Sequence, residues 1–419
     1  MHRTRVTIEQ TMKSELESPG ARSAERLAQI TICPNCDAPG LDPFYDVSRI
    51  PAHSVMLMHT REQAIAYPRG DLRLGFCRAC GFITNTLFDV TLNEYSPDFE
   101  ETQHFSPTFD GWARQLVDRL VRGYDMRGRQ VIEIGCGKGE FLALLCEAGG
   151  NHGIGIDPGC IPERLQGDAA ANVRFIRDLY SEQYAHLPAD VVCCRHTLEH
   201  IQPTREFMQM VRRVIGPRKD TLVFLEVPDM TRVLRERAFW DVYYEHCTYL
   251  TAGSLARLFR SNGFEIIELV RDFADQYLWI TARPADGPTT ASLPIEEDLQ
   301  ATAAEVEKYR ELAPRDVAAW RDRIRALATE GRKPVIWGAG SKAVSLLTTC
   351  GLDREVKYLV DVNPHKAGKF LPGTGHAVVE PEFLRRYRPG VVVAMNPVYV
   401  GEIRDRLAAL NVTADVIAL

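Results

Sequence analysis

From Gln130 onward the chain alternates short apolar runs with helical ones: VIEIG, GEFLALLCEAG, HGIGID, VRFIRD, ADVVCCRH, FMQMVRRVI and TLVFLEVP. Apolar strands separated by helices bury both faces only as a parallel sheet with helices packed on each side, so this alternation predicts a Rossmann-like α/β core. The pair FEIIELVRDF and QYLWITA reads as an antiparallel hairpin closing that core at the sheet edge near Thr281. A second alternation, PVIWGAG, SKAVSLLTTCG, VKYLVDVNP and VVVAMNP with a final helix over 401–410, predicts a smaller α/β unit behind it.

Around these two units the remaining segments differ in kind. Residues 1–29 are polar, with no sustained apolar face, and read as a mobile leader. Residues 30–90 carry paired cysteines and many turn formers, as in a small module held together by a metal. A helix through 109–124 leads into the core unit, which spans 91–283. Residues 284–330 begin with DGPTTASLP and continue as a charged, alanine-rich stretch that predicts two connecting helices broken at Pro314. The C-terminal unit occupies 331–419.

With 25% charged residues and a net charge of -6, the chain has no polybasic surface, which disfavours a nucleic-acid partner. No window reaches the ~18 apolar residues of a membrane span, and the N-terminus lacks the apolar centre of a signal peptide. A cytoplasmic protein, without a membrane partner, is expected. Of eleven cysteines, most sit in apolar runs and read as reduced core thiols. Four do not. Cys33 and Cys36 form C-P-N-C, and Cys77 and Cys80 form C-R-A-C-G. Two such knuckles offer four thiolates to one tetrahedral zinc ion, and with no open position the metal is structural.

The loop Glu133 to Gly139, E-I-G-C-G-K-G, follows an apolar strand and opens a helix. Its glycines permit a sharp turn close to a ligand, and amides at the helix start face that ligand. Asp157 ends the next strand, where an acid accepts ribose hydroxyls. The spacing is not the G-x-G-x-x-G of nicotinamide folds. His196, Glu199 and His200 follow the fourth strand, and Tyr243, Glu245 and His246 follow the fifth, both at carboxyl ends where ligands of open α/β sheets gather. His200 alone reads as a cap or bridge between units; Glu245 with His246 reads as functional, a histidine base oriented by a carboxylate.

The glycine loop with its two acids resembles class I S-adenosylmethionine-dependent methyltransferases. That resemblance makes Gly135, Gly137 and Gly139 cofactor contacts, and adds Asp178, with Leu179 beside the adenine; Glu133, Asp157 and His196 complete the set. The whole order of parts resembles the three-domain sugar C-methyltransferases, on C-R-A-C-G-F-I-T-N at 77–85, Y-Y-E-H at 243–246, G-A-G-S-K at 338–342, V-D-V-N-P at 360–364, P-G-T-G-H at 372–376 and M-N-P-V-Y at 395–399. The stretch I-P-A-H-S at 50–54 stands where typical sugar members carry an alanine–asparagine pair.

By the same resemblance Tyr243, Glu245, His246 and His200 are catalytic, and Tyr95 and Ser106 close over the cofactor. The implied reaction removes a proton beside a ketone of a nucleotide-linked keto-deoxysugar, with His246 as base, and the enolate attacks the sulfonium methyl. Gly338, Gly340 and Lys342 form a candidate phosphate cradle, with His376 and Asn396 lining the same cleft; the competing reading is a structural unit that binds no substrate. Other functional readings are a methyltransferase acting at carbon, nitrogen or oxygen of another small natural-product metabolite, a binding protein without turnover, and a dehydrogenase. A monomer or homodimer is expected.

Overall fold

The computed structural model describes residues 29–93 and 95–419; the leader expected over 1–29 lies outside them except for its last residue. Three sheets organise the chain. The first contains β1 (Asp42–Pro51), β2 (Arg69–Phe76) and β3 (Ile83–Asn85), all antiparallel. The central sheet contains β4 (Gln130–Ile134), β5 (His152–Ile156), β6 (Val173–Ile176), β7 (Val191–Arg195) and β8 (Leu222–Pro228). Its remaining members are β10 (Phe264–Asp272) and β11 (Tyr277–Pro284), and the order is β10-β11-β8-β7-β4-β5-β6. β7 is buried along its whole length, as is β8 up to Pro228, because helices cover both faces. β10 and β11 form the expected hairpin, with β11 antiparallel to β8 and β10 at the edge.

One strand crosses between the sheets. β9, only Thr248–Tyr249, follows the core's fifth parallel strand in sequence yet pairs with β3 of the N-terminal sheet, Thr84 opposite Thr248 and Ile83 opposite Tyr249. The Cys247 carbonyl accepts the Asn85 amide at 2.9 Å and the Thr84 hydroxyl at 2.8 Å. The segment Tyr243–His246 is thereby pinned between the core and the cysteine module.

The C-terminal sheet is fully parallel, β14-β13-β12-β15-β16, built from β12 (Pro334–Trp337), β13 (Tyr358–Val360), β14 (Ala377–Val379), β15 (Val391–Ala394) and β16 (Asp415–Ala418). β14 and β16 were not among the expected strands. Leu299–Thr329 is one continuous helix, not two broken at Pro314. Proline there removes one backbone donor, at a cost of about 3 kcal/mol. The helix nevertheless continues, because Val306, Tyr309, Ala313, Val317 and Ile324 form one buried stripe against the main apolar core. No helix among the described residues is long and apolar enough to cross a membrane.

Candidate active site

The four knuckle cysteines converge. Cys33 and Cys80 sulfurs lie 3.7 Å apart, Cys36 and Cys77 sulfurs 3.6 Å apart, and all four fall within 4.8 Å of one another. A tetrahedral zinc with Zn–S bonds of about 2.3 Å has edges of about 3.8 Å, so the donor set fits the ion in both chemistry and size. Gly81, at φ 75°, makes the turn after the second knuckle, its amide bonding the Cys77 carbonyl at 2.8 Å.

At the carboxyl ends of β4, β5, β7 and β8 opens a cavity of about 940 Å³, reaching to the C-terminal sheet. All the residues expected to contact cofactor or acceptor border it except Gly139 and His376. Gly135 and Gly137 take φ of 67° and 54°. A Cβ on Gly135 would come within 2.1 Å of the Thr197 hydroxyl, and one on Gly137 within 2.3 Å of Glu101 Oε1, so the loop closes this tightly only with glycine. Gly139 caps the following helix with its Cα turned to Phe175 rather than to the cavity.

Asp157 accepts the Gly137 amide at 3.0 Å and the Gly159 amide at 2.6 Å, locking the second acid to the loop, while burial raises its pKa. Burial pushes Glu133 up to about 8 against the pull of Arg195, and one of its carboxylate oxygens has no partner among the described residues. Lys138, though in the loop, points away: its ammonium donates to the Phe99 and Gly159 carbonyls, each at 2.8 Å. This straps the 95–101 segment, and with it Tyr95, over the loop. Asp178 is held by the Tyr184 hydroxyl, the Leu179 amide and Gln183, which keep its carboxyl below the usual range; Leu179 lies largely exposed on the rim. Ser106 caps the helix Pro107–Gly123 and donates to Glu402 at 2.6 Å. An unpartnered buried carboxylate, a left-handed glycine turn and an acid on the next strand fit a cationic, ribose-bearing cofactor such as S-adenosylmethionine.

Deeper in the cavity the two histidine-bearing loops meet. His200 and His246 stack edge to face with ring centroids 4.7 Å apart, and Tyr243 lies 4.2 Å from His246. The His200 Nδ1–H donates to the Glu245 carbonyl at 3.1 Å, which leaves Nε2 as the acceptor nitrogen. Burial lowers the pKa of His200, opposed by Glu199 and Glu245; burial and the neighbouring histidines take His246 well below its ordinary value. Burial also keeps the Tyr243 phenol far above its ordinary value, hence protonated. His196, at φ 47°, stands 2.7 Å from Glu226 Oε1; despite burial, Glu199 and Glu226 raise its pKa to about 9.

The carboxylate expected to orient His246 does not touch it. Glu245 turns instead to His53 Nδ1 at 2.8 Å, the Ser54 amide at 3.2 Å and hydroxyl, and the Ser341 hydroxyl at 3.3 Å. The carboxylate nearest His246 is Glu199, 4.0 Å from Nε2, with neither oxygen hydrogen-bonded among the described residues. His53 and Ser54 are residues that sequence reasoning missed; their only signal was the unusual stretch I-P-A-H-S.

The C-terminal loop departs further from expectation. Lys342 does not face an anion site: its ammonium is spent on Asp241 at 3.0 Å and Gln276 at 3.1 Å. Asp361 accepts the Ala339 amide at 2.8 Å, and Lys366 bonds both Asp361 and the Ala339 carbonyl. Asn396 pairs reciprocally with Gln276. His376 lies outside the cavity, buried, with its Nε2–H donated to the Val356 carbonyl at 2.9 Å.

Residues 76–269 match the family described as a methyltransferase domain, and residues 283–415 match the C-methyltransferase C-terminal domain. C-methyltransferase NovU of Streptomyces niveus is 30% identical over 312 residues, covering 70% of this chain and 72% of NovU. Among solved structures, the 1,6-didemethyltoxoflavin-N1-methyltransferase of Burkholderia thailandensis is 19% identical (TM-score 0.31, 42% of this chain and 80% of that one). The magnesium protoporphyrin IX methyltransferase ChlM of Synechocystis PCC 6803 is 16% identical (TM-score 0.32, 42% and 84%).

Proposed function

The chain belongs to the three-domain S-adenosylmethionine-dependent C-methyltransferase family, and from that premise we propose that it methylates the carbon beside a ketone of a nucleotide-linked keto-deoxysugar. The observation that carries the reading is the His200 ring, held by its Nδ1–H on the Glu245 carbonyl with Nε2 left as acceptor among cavity-lining groups. His200 takes the base role in place of His246 because its tautomer is set by a hydrogen bond to the Glu245 carbonyl.

In this reading His200 Nε2 removes the proton next to the ketone, and the C–H electron pair becomes the enolate. Tyr243, protonated and without a hydrogen bond from its hydroxyl among the described residues, donates to the enolate oxygen. Gly135, Gly137, Asp157, Glu133 and Asp178 would hold S-adenosylmethionine, which would supply an electrophilic sulfonium methyl group to the enolate carbon and leave as the neutral thioether. The His200 imidazolium later returns its proton to water. The zinc site, closed by four thiolates, folds the N-terminal module and takes no part in the transfer. Eleven unbridged thiols suit a reducing compartment, the cytoplasm.

One observation favours a second acceptor. Among the described residues every lysine and arginine that lines the cavity is engaged by protein groups: Lys138 by backbone carbonyls, Arg195 by Glu226, Arg232 and Lys342 by Asp241, and Lys366 by Asp361. Such a lining suits the sulfonium better than a diphosphate, and so supports a keto metabolite of natural-product biosynthesis that lacks a nucleotide. Label transfer from methyl-labelled S-adenosylmethionine to nucleotide-linked 4-keto-deoxysugars and to free keto metabolites, with deuterium exchange at the acceptor carbon, separates the two. Carbon-bound label on the sugar series supports the first reading, label only on free ketones supports the second, and label on oxygen or nitrogen rejects both.

A further inference from the structure

Glu245 is a hub rather than a free carboxylate. It is 1% exposed, and its partners come from three parts of the chain: His53 and Ser54 after β1, Ser341 at the start of the helix Ser341–Cys350 that follows β12, and, through its own backbone carbonyl, His200. His53 is fully buried and does not border the cavity; its ring packs edge-on to Tyr95 and Phe99, at 5.4 and 5.7 Å. With a carboxylate as acceptor, His53 Nδ1 must be the donor at 2.8 Å. These donors keep the Glu245 carboxyl below its usual range in spite of burial.

We propose that His53 is a positioning residue for the transfer step: it anchors the Glu245 carboxylate, and through the Glu245 backbone it holds His200 in the tautomer whose Nε2 is free to accept a proton. The proposal rests on the reading of His200 as base. Its physical basis is a short mechanical chain. The carboxylate and the carbonyl of Glu245 belong to one residue, so when the carboxylate loses its imidazole donor and resettles on the Ser54 and Ser341 bonds that remain, the carbonyl shifts with it. A His200 ring without its carbonyl acceptor loses the bond that selects Nδ1–H over Nε2–H. The groups facing His200 are Glu199, Glu245, His246, Tyr95 and, at longer range, His53.

The full chain labelled with 15N-histidine, with His200→Gln to assign the His200 signals, reports the tautomer directly from long-range proton–nitrogen correlations. The wild type is expected to show a protonated Nδ1 at His200. His53→Ala is expected to give a mixture of tautomers, and His53→Asn, whose side-chain amide can reproduce the Nδ1–H donor, to return the wild-type pattern. In labelled methyl transfer, His53→Ala should lose about 10- to 100-fold in kcat, the scale of a small misplacement at a reacting centre, and His53→Asn should recover most of it. S-adenosylmethionine affinity should stay within about twofold in both. An unchanged His200 tautomer in folded His53→Ala would overturn the proposal, as would His53→Asn faring no better than His53→Ala. A shifted tautomer with undiminished methyl transfer would instead reject His200 as base while leaving the anchor standing.

Discussion

Two loops in this chain share one grammar, an apolar strand, a glycine turn, a helix and an acid at the end of the next strand, yet their interiors differ. In the central loop, Asp157 binds two backbone amides, Lys138 points away, and a Glu133 oxygen is left unpartnered. In the C-terminal loop, Asp361 takes the Ala339 amide, Lys366 sits on both, and Lys342 is bound to Asp241. Both turns border the cavity, but the first keeps an unpartnered carboxylate oxygen beside it, whereas the charged groups of the second are already paired with one another or with Asp241. A glycine turn before a helix is therefore a place where a ligand can bind, and the neighbouring lysines and acids decide whether anything is left to bind.

The comparison breaks most sharply at the two acids. Asp157→Ala should weaken S-adenosylmethionine binding by about 10- to 100-fold, the value of a charged hydrogen-bond partner, whereas Asp361→Ala should leave it within about twofold, both read by calorimetry. Equal losses would mean that the C-terminal loop shapes the cofactor site after all.

The glycines come next. Gly137→Ala forces a left-handed residue against Glu101, and at about 1–2 kcal/mol of backbone cost should weaken the cofactor roughly 5- to 30-fold. Gly340, in extended backbone with only Val55 at 4.0 Å from a built Cβ, should accept alanine with cofactor affinity unchanged.

A smaller effect follows from pH. Burial pushes the Glu133 carboxyl from the ordinary 4.5 up to about 8. Its contribution to the stability of the ligand-free chain is therefore fully present below the ordinary 4.5 and lost as pH rises through about 8. Binding a sulfonium cation favours the ionised form, so cofactor affinity should rise by up to about tenfold between pH 7 and 9, and Glu133→Gln should flatten both trends. The smallest change is expected from Lys342→Met: a lower melting temperature, because Asp241 loses one buried cation, with no change in cofactor affinity.

Much of the central unit was legible because its strands are continuous apolar runs and its helices carry a 3.6-residue stripe, patterns that survive without neighbours. The cysteine knuckles were legible for the same reason, since spacing of two residues already places paired sulfurs on one turn. The histidine cluster was legible only as candidates. That Glu245 would turn from His246 toward His53, 192 positions away in sequence, depends on β9 joining β3, and no local pattern records a two-residue strand in another unit's sheet.

What the sequence by itself determined is thus the fold class, the glycine turn after β4 and the four-thiolate module, each encoded by residues close together along the chain. Only the tertiary structure decided which histidine has its tautomer set by a backbone carbonyl, which carboxylates lack a partner among the described residues, and that Lys342 and His376 are committed to protein groups. Those outcomes turn on hydrogen bonds and ion pairs between distant segments, where a single partner within about 3 Å settles whether a side chain is available for chemistry.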